Sequence, residues 1–461
     1  MISGWSAAAV LYGVCRIHTG AAMALVAALL FLTTPAVVYG AGSGQVEARI
    51  AGFAMVAAWS TAEAIRTGNL RYAVLGGMGA GFFMASKYTG ALFCAAAGAM
   101  IMMQKRWLAM GLVFGISGLA AGAQWYGWNW LHTGDPFFPV LFDWIGRENL
   151  DFWSKDYNAY FKDVYFAAEN PLAKTVINFL LLPVYATFNL MNMVDAGRVG
   201  LGPFPLLAAP FAVVAAVRLR RRIAASPLFI YLLIAGLFYA VWFVIGGSMR
   251  VRHLVPVLPI LLVVLCVAAA RISDVRPYRL VFALAVAATL ALQTAGHAVF
   301  ARQYITAALT GESKDAFLYH NLRGYNAIRW VNENLDRNDK VLVFIRELRF
   351  YMQVPSFFAG IVQAQVGLDP ERNDPETLYR ELRTAGVTHA ILNRPADGPG
   401  VDVNAPYQPP INILLGTGCL QLLHRAEGPA ITSRTLGTVE QQEYFDIYAL
   451  RDETCLQGGV Q

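Results

Sequence analysis

Two arginines and a histidine stand together in Gly246-Gly247-Ser248-Met249-Arg250-Val251-Arg252-His253, at the head of an apolar run. Charge beside lipid is costly unless it meets a ligand or a partner. Arginine's planar fork matches phosphate oxygens, which gives one account of the pair. An ion pair with Asp143, Asp195 or Glu47 gives the other. The two arginines are expected to point to opposite sides of an extended stretch, so that only one would meet a phosphate. Ala85-Ser86-Lys87-Tyr88-Thr89-Gly90 sets a lysine between two apolar stretches with almost no loop. That lysine either joins a basic site or draws its ammonium toward the interface along its own stem. Gly42-Ser43-Gly44-Gln45-Val46-Glu47-Ala48-Arg49 puts a carboxylate at the mouth of a further apolar run, either for chemistry or for an ordinary Glu47–Arg49 pair. Asn129 to Pro139, with Asp135 at its centre, is followed by Asp143, Trp144, Asp151, Trp153, Asp156, Tyr157 and Tyr160. Rings that cover an apolar sugar face and carboxylates that take hydroxyls are what a sugar site uses, and an aromatic belt at a membrane interface uses the same rings.

Positioning these groups requires a scaffold, and the composition names its solvent. A chain of 461 residues that is 57% hydrophobic and 14% charged, with mean hydropathy +0.46, is not an ordinary soluble domain. The apolar stretches run from Met1 to about Phe300. With roughly 20 apolar residues needed to cross a bilayer, they read as about ten spans, some of them short: Ile2–Cys15, Ala21–Ala41, Ile50–Ile65, Tyr72–Ser86, Ala91–Met103, Trp107–Tyr126, Pro203–Val217, Leu228–Ile245, His253–Ala270 and Leu280–His297. Arg16, Arg66 with Arg71, Lys105 with Arg106, Arg218 to Arg222, and Arg271 to Arg279 fall between spans and mark cytoplasmic loops. Alternation then puts residues 42–49, the turn at Lys87, the 128–200 loop, residues 246–252 and everything after His297 on the exported side. This parity needs Ala173–Val194 to lie along or dip into the outer surface, and Pro183, Asn178, Asn189 and Asn192 suit a broken segment. It also puts Met1 outside, as though a helix and loop preceded it; no cleavable signal peptide is evident.

From residue 301 the chain becomes polar and reads as an exported α/β domain reaching residue 461. Helices are expected over Gly324–Leu335 and after Asp374-Pro375, with Gly386 as a stop. Strands are expected at Val341–Ile345, Ala390–Leu392, Leu420–Leu423 and Phe445–Leu450. Cys15, Cys94 and Cys266 read as small apolar fillers, whereas Cys419 and Cys455 lie where a disulfide could persist. The spacing alone leaves their pairing open. A net charge of +6 is accounted for by the cytoplasmic loops and points to no nucleic acid.

Thr34-Pro35 leading to Glu47, Ala85 to Gly90, the Thr133-Gly134-Asp135-Pro136 core, Leu201-Gly202-Pro203 and Arg252-His253-Leu254-Val255-Pro256-Val257-Leu258-Pro259 follow one another in the order seen in a family. The chain resembles the bacterial GT-C integral membrane glycosyltransferases that use polyprenyl phosphate, related to protein mannosyltransferases and aminoarabinose transferases. The tail, with Tyr325–Asn334 and Gly386 to Leu392, is similar to the exported domain such proteins carry.

That resemblance implies inverting transfer of a sugar from a polyprenyl-phosphate donor to a glycan, lipid or protein acceptor, in a bacterial inner membrane. A carboxylate on the first exported loop would be the base and basic residues would hold the departing phosphate. The sequence begins at what corresponds to the family's second span, without that first loop, and Glu47, the catalytic candidate, matches a second acidic residue on the next exported loop, where the family usually has Asp. Lys87, Arg252 and His253 match the basic group, His253 standing where an aromatic residue is more usual. The resemblance selects Arg252 over Arg250 as the phosphate ligand, with Arg250, Asp135 and Asp143 lining the substrate. It leaves a divalent cation open and assigns no metal ligand. A lipid-linked-sugar transporter would want a similar cationic, aromatic groove, but it normally shows repeated halves, and none is visible. A non-catalytic relative in envelope assembly is the third reading.

Overall fold

The computed structural model describes residues 2–148, 150, 153–188, 200–272, 275–360, 363, 365–368, 374–394, 409–429 and 442–456. Asp151, Asn189, Asn192, Val194 and Asp195 lie outside the described residues. The chain forms two compact units, Met1–Arg147 with Lys162–His297 and Glu148–Phe161 with Ala298–Gln461.

The first unit is built of helices, and every apolar stretch expected to cross a membrane carries one. They are α1 (Ile2–His18), α2 (Ala21–Thr33), α3 (Pro35–Gly42), α4 (Glu47–Thr67), α5 (Leu70–Ser86), α6 (Thr89–Met102), α7 (Trp107–Gly122) and α8 (Gln124–Thr133). After α9 (Phe142–Ile145), α10 (Lys155–Glu169) and α11 (Val176–Phe188) come α12 (Phe204–Ala224), α13 (Pro227–Ile245), a 3-10 turn at Val251–Val257, α14 (Leu258–Ile272) and α15 (Arg276–Thr310).

Length and composition qualify fewer of these as spans than the ten expected. Among the described residues three are long and apolar enough to cross a membrane, namely Pro227–Ile245, Val251–Ile272 and Arg276–Thr310. Two bent pairs, α2 with α3 at 62° and α7 with α8 at 63°, raise the number to five. The shortfall has plain causes. α5 and α6 have only 17 and 14 residues, and α4 carries Glu47, Arg49, Glu63 and Arg66.

The α2–α3 bend follows from Pro35, which removes an amide and pushes Thr34 out of the helical region; Thr34 sits at φ −60° and ψ 127°. The eleventh stretch behaves differently from its expectation. Among the described residues α11 continues through Pro183 rather than breaking there. Pro183 leaves the carbonyl of Phe179, four residues back, without its helical donor, and the Tyr239 hydroxyl donates to that oxygen at 2.6 Å.

The helices α5 and α7 meet through glycine. A Cβ added at Gly77 would fall onto Ser117 and the Phe114 carbonyl, and one at Gly81 onto the Gly118 carbonyl. From the other side, a Cβ at Gly122 would fall onto the Gly81 carbonyl. Glycines four apart on both helices let the backbones touch, the usual way apolar helices associate where no hydrophobic force separates them from lipid. Substituting Gly81→Leu is expected to force the two helices apart and cost about 1–3 kcal/mol, read as a lowered unfolding midpoint in detergent.

The second unit holds a five-stranded sheet in the order β2-β1-β3-β5-β4: β1 (Val341–Val343), β2 (Ser356–Phe358), β3 (His389–Arg394), β4 (Leu420–Pro429) and β5 (Gln442–Leu450). The first three are parallel, and β5 runs antiparallel to β3 and β4. Alternation along the strands makes two cores. Val341, Val343, Ile391, Phe445 and Ile447 pack under Ile328 and Val331 of α17 (Tyr325–Asn334), which follows α16 (Lys314–Asn321). Leu342, Ala390, Leu392 and Tyr448 pack under Leu378 and Leu382 of α18 (Pro375–Thr384).

Asp374 caps α18 by accepting from the Thr377 amide, and Gly386, at φ 77°, follows its end as the sequence suggests. β2 has no counterpart in the sequence reading, because three residues after a proline are too short a pattern to register. Cys419 and Cys455 form a disulfide, while Cys15, Cys94 and Cys266 are free thiols. Alkylation of the denatured, unreduced chain is therefore expected to label those three thiols alone, and reduction to add two labels by mass spectrometry.

Candidate functional site

Glu47 opens α4, where the positive end of the helix dipole favours a carboxylate, and only 4% of the residue is exposed. Arg49, two positions on, points elsewhere, as residues so spaced on a helix must, and donates to Ser86 Oγ at 3.4 Å. The expected alternative of a Glu47–Arg49 pair is thus replaced by a longer-range one. Lys87 Nζ donates to Glu47 Oε1 at 2.6 Å. Arg252 Nε stands 3.5 Å from the same oxygen. Oε1 therefore gathers both cations, and Oε2 carries no hydrogen bond among the described residues.

Lys87 can reach Glu47 because of the turn it occupies. It ends α5 in an extended conformation, φ −164° and ψ 141°, and the Gly90 amide closes the turn onto its carbonyl at 2.8 Å. A Cβ at Gly90 would lie 2.5 Å from Met84 Cα, so only glycine allows α6 to start so soon after α5. The neighbouring Tyr88 ties this turn to the long loop. Its hydroxyl accepts from Asn129 Nδ2 at 2.8 Å and donates to the Phe138 carbonyl at 2.7 Å.

Arg250 and Arg252 do part company, though not because the stretch is extended; in a strand, residues two apart would share a face. The chain enters a 3-10 turn at Val251, and the turn sends the two side chains apart. Arg250 is bound by Glu169, through Nε to Oε2 at 2.6 Å and through Nη2 to Oε1. Ser248 Oγ donates to Glu169 Oε2 at 2.6 Å, and the Met249 amide to the Glu169 carbonyl at 2.8 Å. Burial works to raise the Glu169 carboxyl, and the bonds from Arg250 and Ser248 outweigh it and hold the group below the usual carboxylate range.

Glu169 is the residue that sequence reasoning missed. The arginines running against the positive-inside trend called for a carboxylate, and the end of an amphipathic helix before Asn170-Pro171 was a place to look for it. Of the partners named from sequence, Glu47 takes Arg252, and Asp195 lies outside the described residues.

The remaining candidates occupy a different network. Asp135 is fully buried and accepts from the Phe137 and Leu141 amides at 2.7 and 2.9 Å. Burial pushes its carboxyl up while those amides pull it down, burial prevailing. Its two oxygens are spent on folding the loop. Asp143 pairs with Lys162. His253 lies beside the cluster, 8% exposed, edge-on to Trp242 with ring centroids 6.5 Å apart. No group of three or more metal-ligating side chains is present among the described residues.

Residues 1–123 match the family model described as dolichyl-phosphate-mannose-protein mannosyltransferase. The chain resembles the GT-C glycosyltransferases. The matched segment includes Glu47 and Lys87 but stops short of Glu169, Arg250, Arg252 and His253, so that likeness reaches two of these six residues. No curated protein matches the chain in sequence. Among solved structures, ArnT from Cupriavidus metallidurans in the apo state is similar at 14% identity and a TM-score of 0.49, covering all of this chain and 83% of that one. The same protein bound to undecaprenyl phosphate is similar at 14% identity and a TM-score of 0.46, covering all of this chain and 84% of that one. Superposition at that level supports nothing further.

Removing one partner of a buried pair strands the other's charge. Lys87→Met is expected to destabilise the chain by up to about 3 kcal/mol, the low end for a buried pair, because Lys87 keeps 23% of its side chain exposed. Adding Glu47→Gln should restore part of that loss, as read by a double-mutant cycle of unfolding in detergent.

Proposed function

We propose that this membrane protein transfers a sugar from a polyprenyl-phosphate donor to a glycan, lipid or protein acceptor on the exported face of a bacterial inner membrane. The observation that carries the reading is the convergence of Lys87 Nζ and Arg252 Nε on one buried oxygen of Glu47. Three segments far apart in sequence supply those groups, and Arg250 with Glu169 adjoins them. Basic groups gathered at one place beside lipid suit an anionic ligand. The family description for residues 1–123 names a polyprenyl-phosphate sugar donor of that kind.

In this mechanism Lys87 and Arg252 neutralise the phosphate as the glycosidic bond breaks, so that the negative charge of the leaving lipid phosphate grows against fixed cations. Arg250 lies one step behind, held in place by Glu169. Glu47 has two tasks. Through Oε1 it fixes both cations, and through Oε2 it accepts the proton of the attacking acceptor hydroxyl, within hydrogen-bond reach as a base requires. Attack on the anomeric carbon from the face opposite the phosphate inverts that centre. Asp143 with Lys162, and the aromatic rings of the 128–144 stretch, are read as flanking substrate contacts. The tail domain is exported with the site.

The test is sugar transfer from radiolabelled polyprenyl-phosphate donors in membranes that express the chain. Glu47→Gln should lower transfer by about 10²-fold or more while leaving the affinity for polyprenyl phosphate within a few fold. Undiminished transfer by that variant would put the base on another residue. Absence of transfer by the wild-type chain with every donor would remove the enzymatic reading.

A further inference from the structure

Beside the cations lies a corner of different chemistry. Trp242, one turn before the end of α13, is 1% exposed, and its indole Nε1 has no hydrogen-bond partner among the described residues. The same holds for Nδ1 of His253, which is 8% exposed. The two rings meet edge to face at an interplanar angle of 80°. Their backbones are satisfied: the Trp242 carbonyl accepts from the Gly246 amide at 2.8 Å, and the His253 amide donates to the Arg250 carbonyl at 2.9 Å. Only the side-chain polar atoms are left over. Buried polar atoms almost always have partners, and those that do not call for an explanation.

The kinds of atom left over define what would complete them. Indole Nε1 is a donor only. In a neutral imidazole that carries its proton on Nε2, Nδ1 is an acceptor. A donor and an acceptor side by side match a group that both accepts and donates. A phosphate oxygen without a proton satisfies only the first, and an ammonium only the second. A hydroxyl satisfies both.

We infer that Trp242 and His253 form the hydroxyl-recognising wall for the donor's sugar, next to Lys87 and Arg252, which hold its phosphate. The inference rests on the proposed glycosyl-transfer reading and assigns a division of labour within it. The charged corner recognises the lipid phosphate whatever sugar it carries. The neutral corner reads the sugar. His253 thereby leaves the basic group to which the sequence assigned it and becomes a specificity residue, with Trp242 as its partner.

The experiment measures binding to the full chain in lipid nanodiscs, using bare polyprenyl phosphate and a panel of polyprenyl-phosphate-linked hexoses and pentoses. Trp242→Phe removes the N–H and keeps a ring. His253→Gln keeps a polar atom at the ε position and removes the one at δ, and His253→Asn does the reverse. Every variant should bind bare polyprenyl phosphate within twofold of wild type. Trp242→Phe and His253→Gln should weaken the best-bound sugar-bearing donor roughly tenfold, with His253→Asn close to wild type. The inference fails if the sugar-bearing donor weakens no more than the bare lipid phosphate, or if His253→Asn falls as far as His253→Gln. Should Trp242→Phe not fold, the two histidine variants decide alone. A wild-type chain that binds neither lipid overturns the glycosyl-transfer reading itself, whereas normal lipid-phosphate binding with unchanged sugar discrimination overturns this corner only.

Discussion

One buried carboxylate oxygen, Oε1 of Glu47, organises the candidate site. Lys87 and Arg252 both turn toward it, although the three residues sit on α4, on the α5–α6 turn and on the 3-10 turn before α14. Desolvating any one of these charges alone would be strongly unfavourable. Desolvated together they lock three segments into one arrangement. Glu169 does for Arg250 what Glu47 does for its neighbours, and it brings α10 to the same place through the Met249 amide and Ser248 hydroxyl. The cations are consequently held before any ligand arrives, which is the condition for electrostatic stabilisation without reorganisation.

The sequence showed which residues carry charge beside lipid but not which charges would pair. Lys87, Arg252 and Glu47 could be selected because each interrupts or borders an apolar run where charge is expensive. Glu169 could be reached only by asking which carboxylate answers the arginines, since it closes an ordinary amphipathic helix and its composition says nothing against solvent. Asp135 shows a role that its residue type does not announce. An acidic residue in a Thr-Gly-Asp-Pro turn looks available to a ligand, and the loop's own amides claim it. Trp242 was hidden for a third reason. An indole in a run of phenylalanine, valine and isoleucine reads as packing, and only the absence of an acceptor at Nε1 among the described residues sets it apart.

The fold was legible to a similar degree. Helices fall on all the apolar stretches because lipid-facing backbone must satisfy its hydrogen bonds internally. Their lengths were not legible, since the bends at Thr34 and Ala123 and the early stop of α6 depend on packing partners that hydropathy does not see. Pro183 is a case in point: a rule that holds for a lone helix gave way once the Tyr239 hydroxyl covered the carbonyl that proline had freed. In the second unit, the strands around Leu342, Ile391 and Phe445 could be read because both faces of the sheet are buried and β-branched or aromatic residues dominate. β2 and the antiparallel extension of β4 past Leu423 depend on neighbours instead of on their own pattern.

The glycine seam between α5 and α7 has a consequence for the chemistry at the end of α5. Helices that touch backbone to backbone cannot roll against each other, so Gly81 fixes the azimuth at which Ser86 and Lys87 emerge. Each residue of an α-helix advances about 1.5 Å and turns about 100°. The interval from Gly81 to Lys87 therefore acts as a gauge. Gaining or losing one position within it would swing the ammonium away from Glu47 and leave the seam untouched.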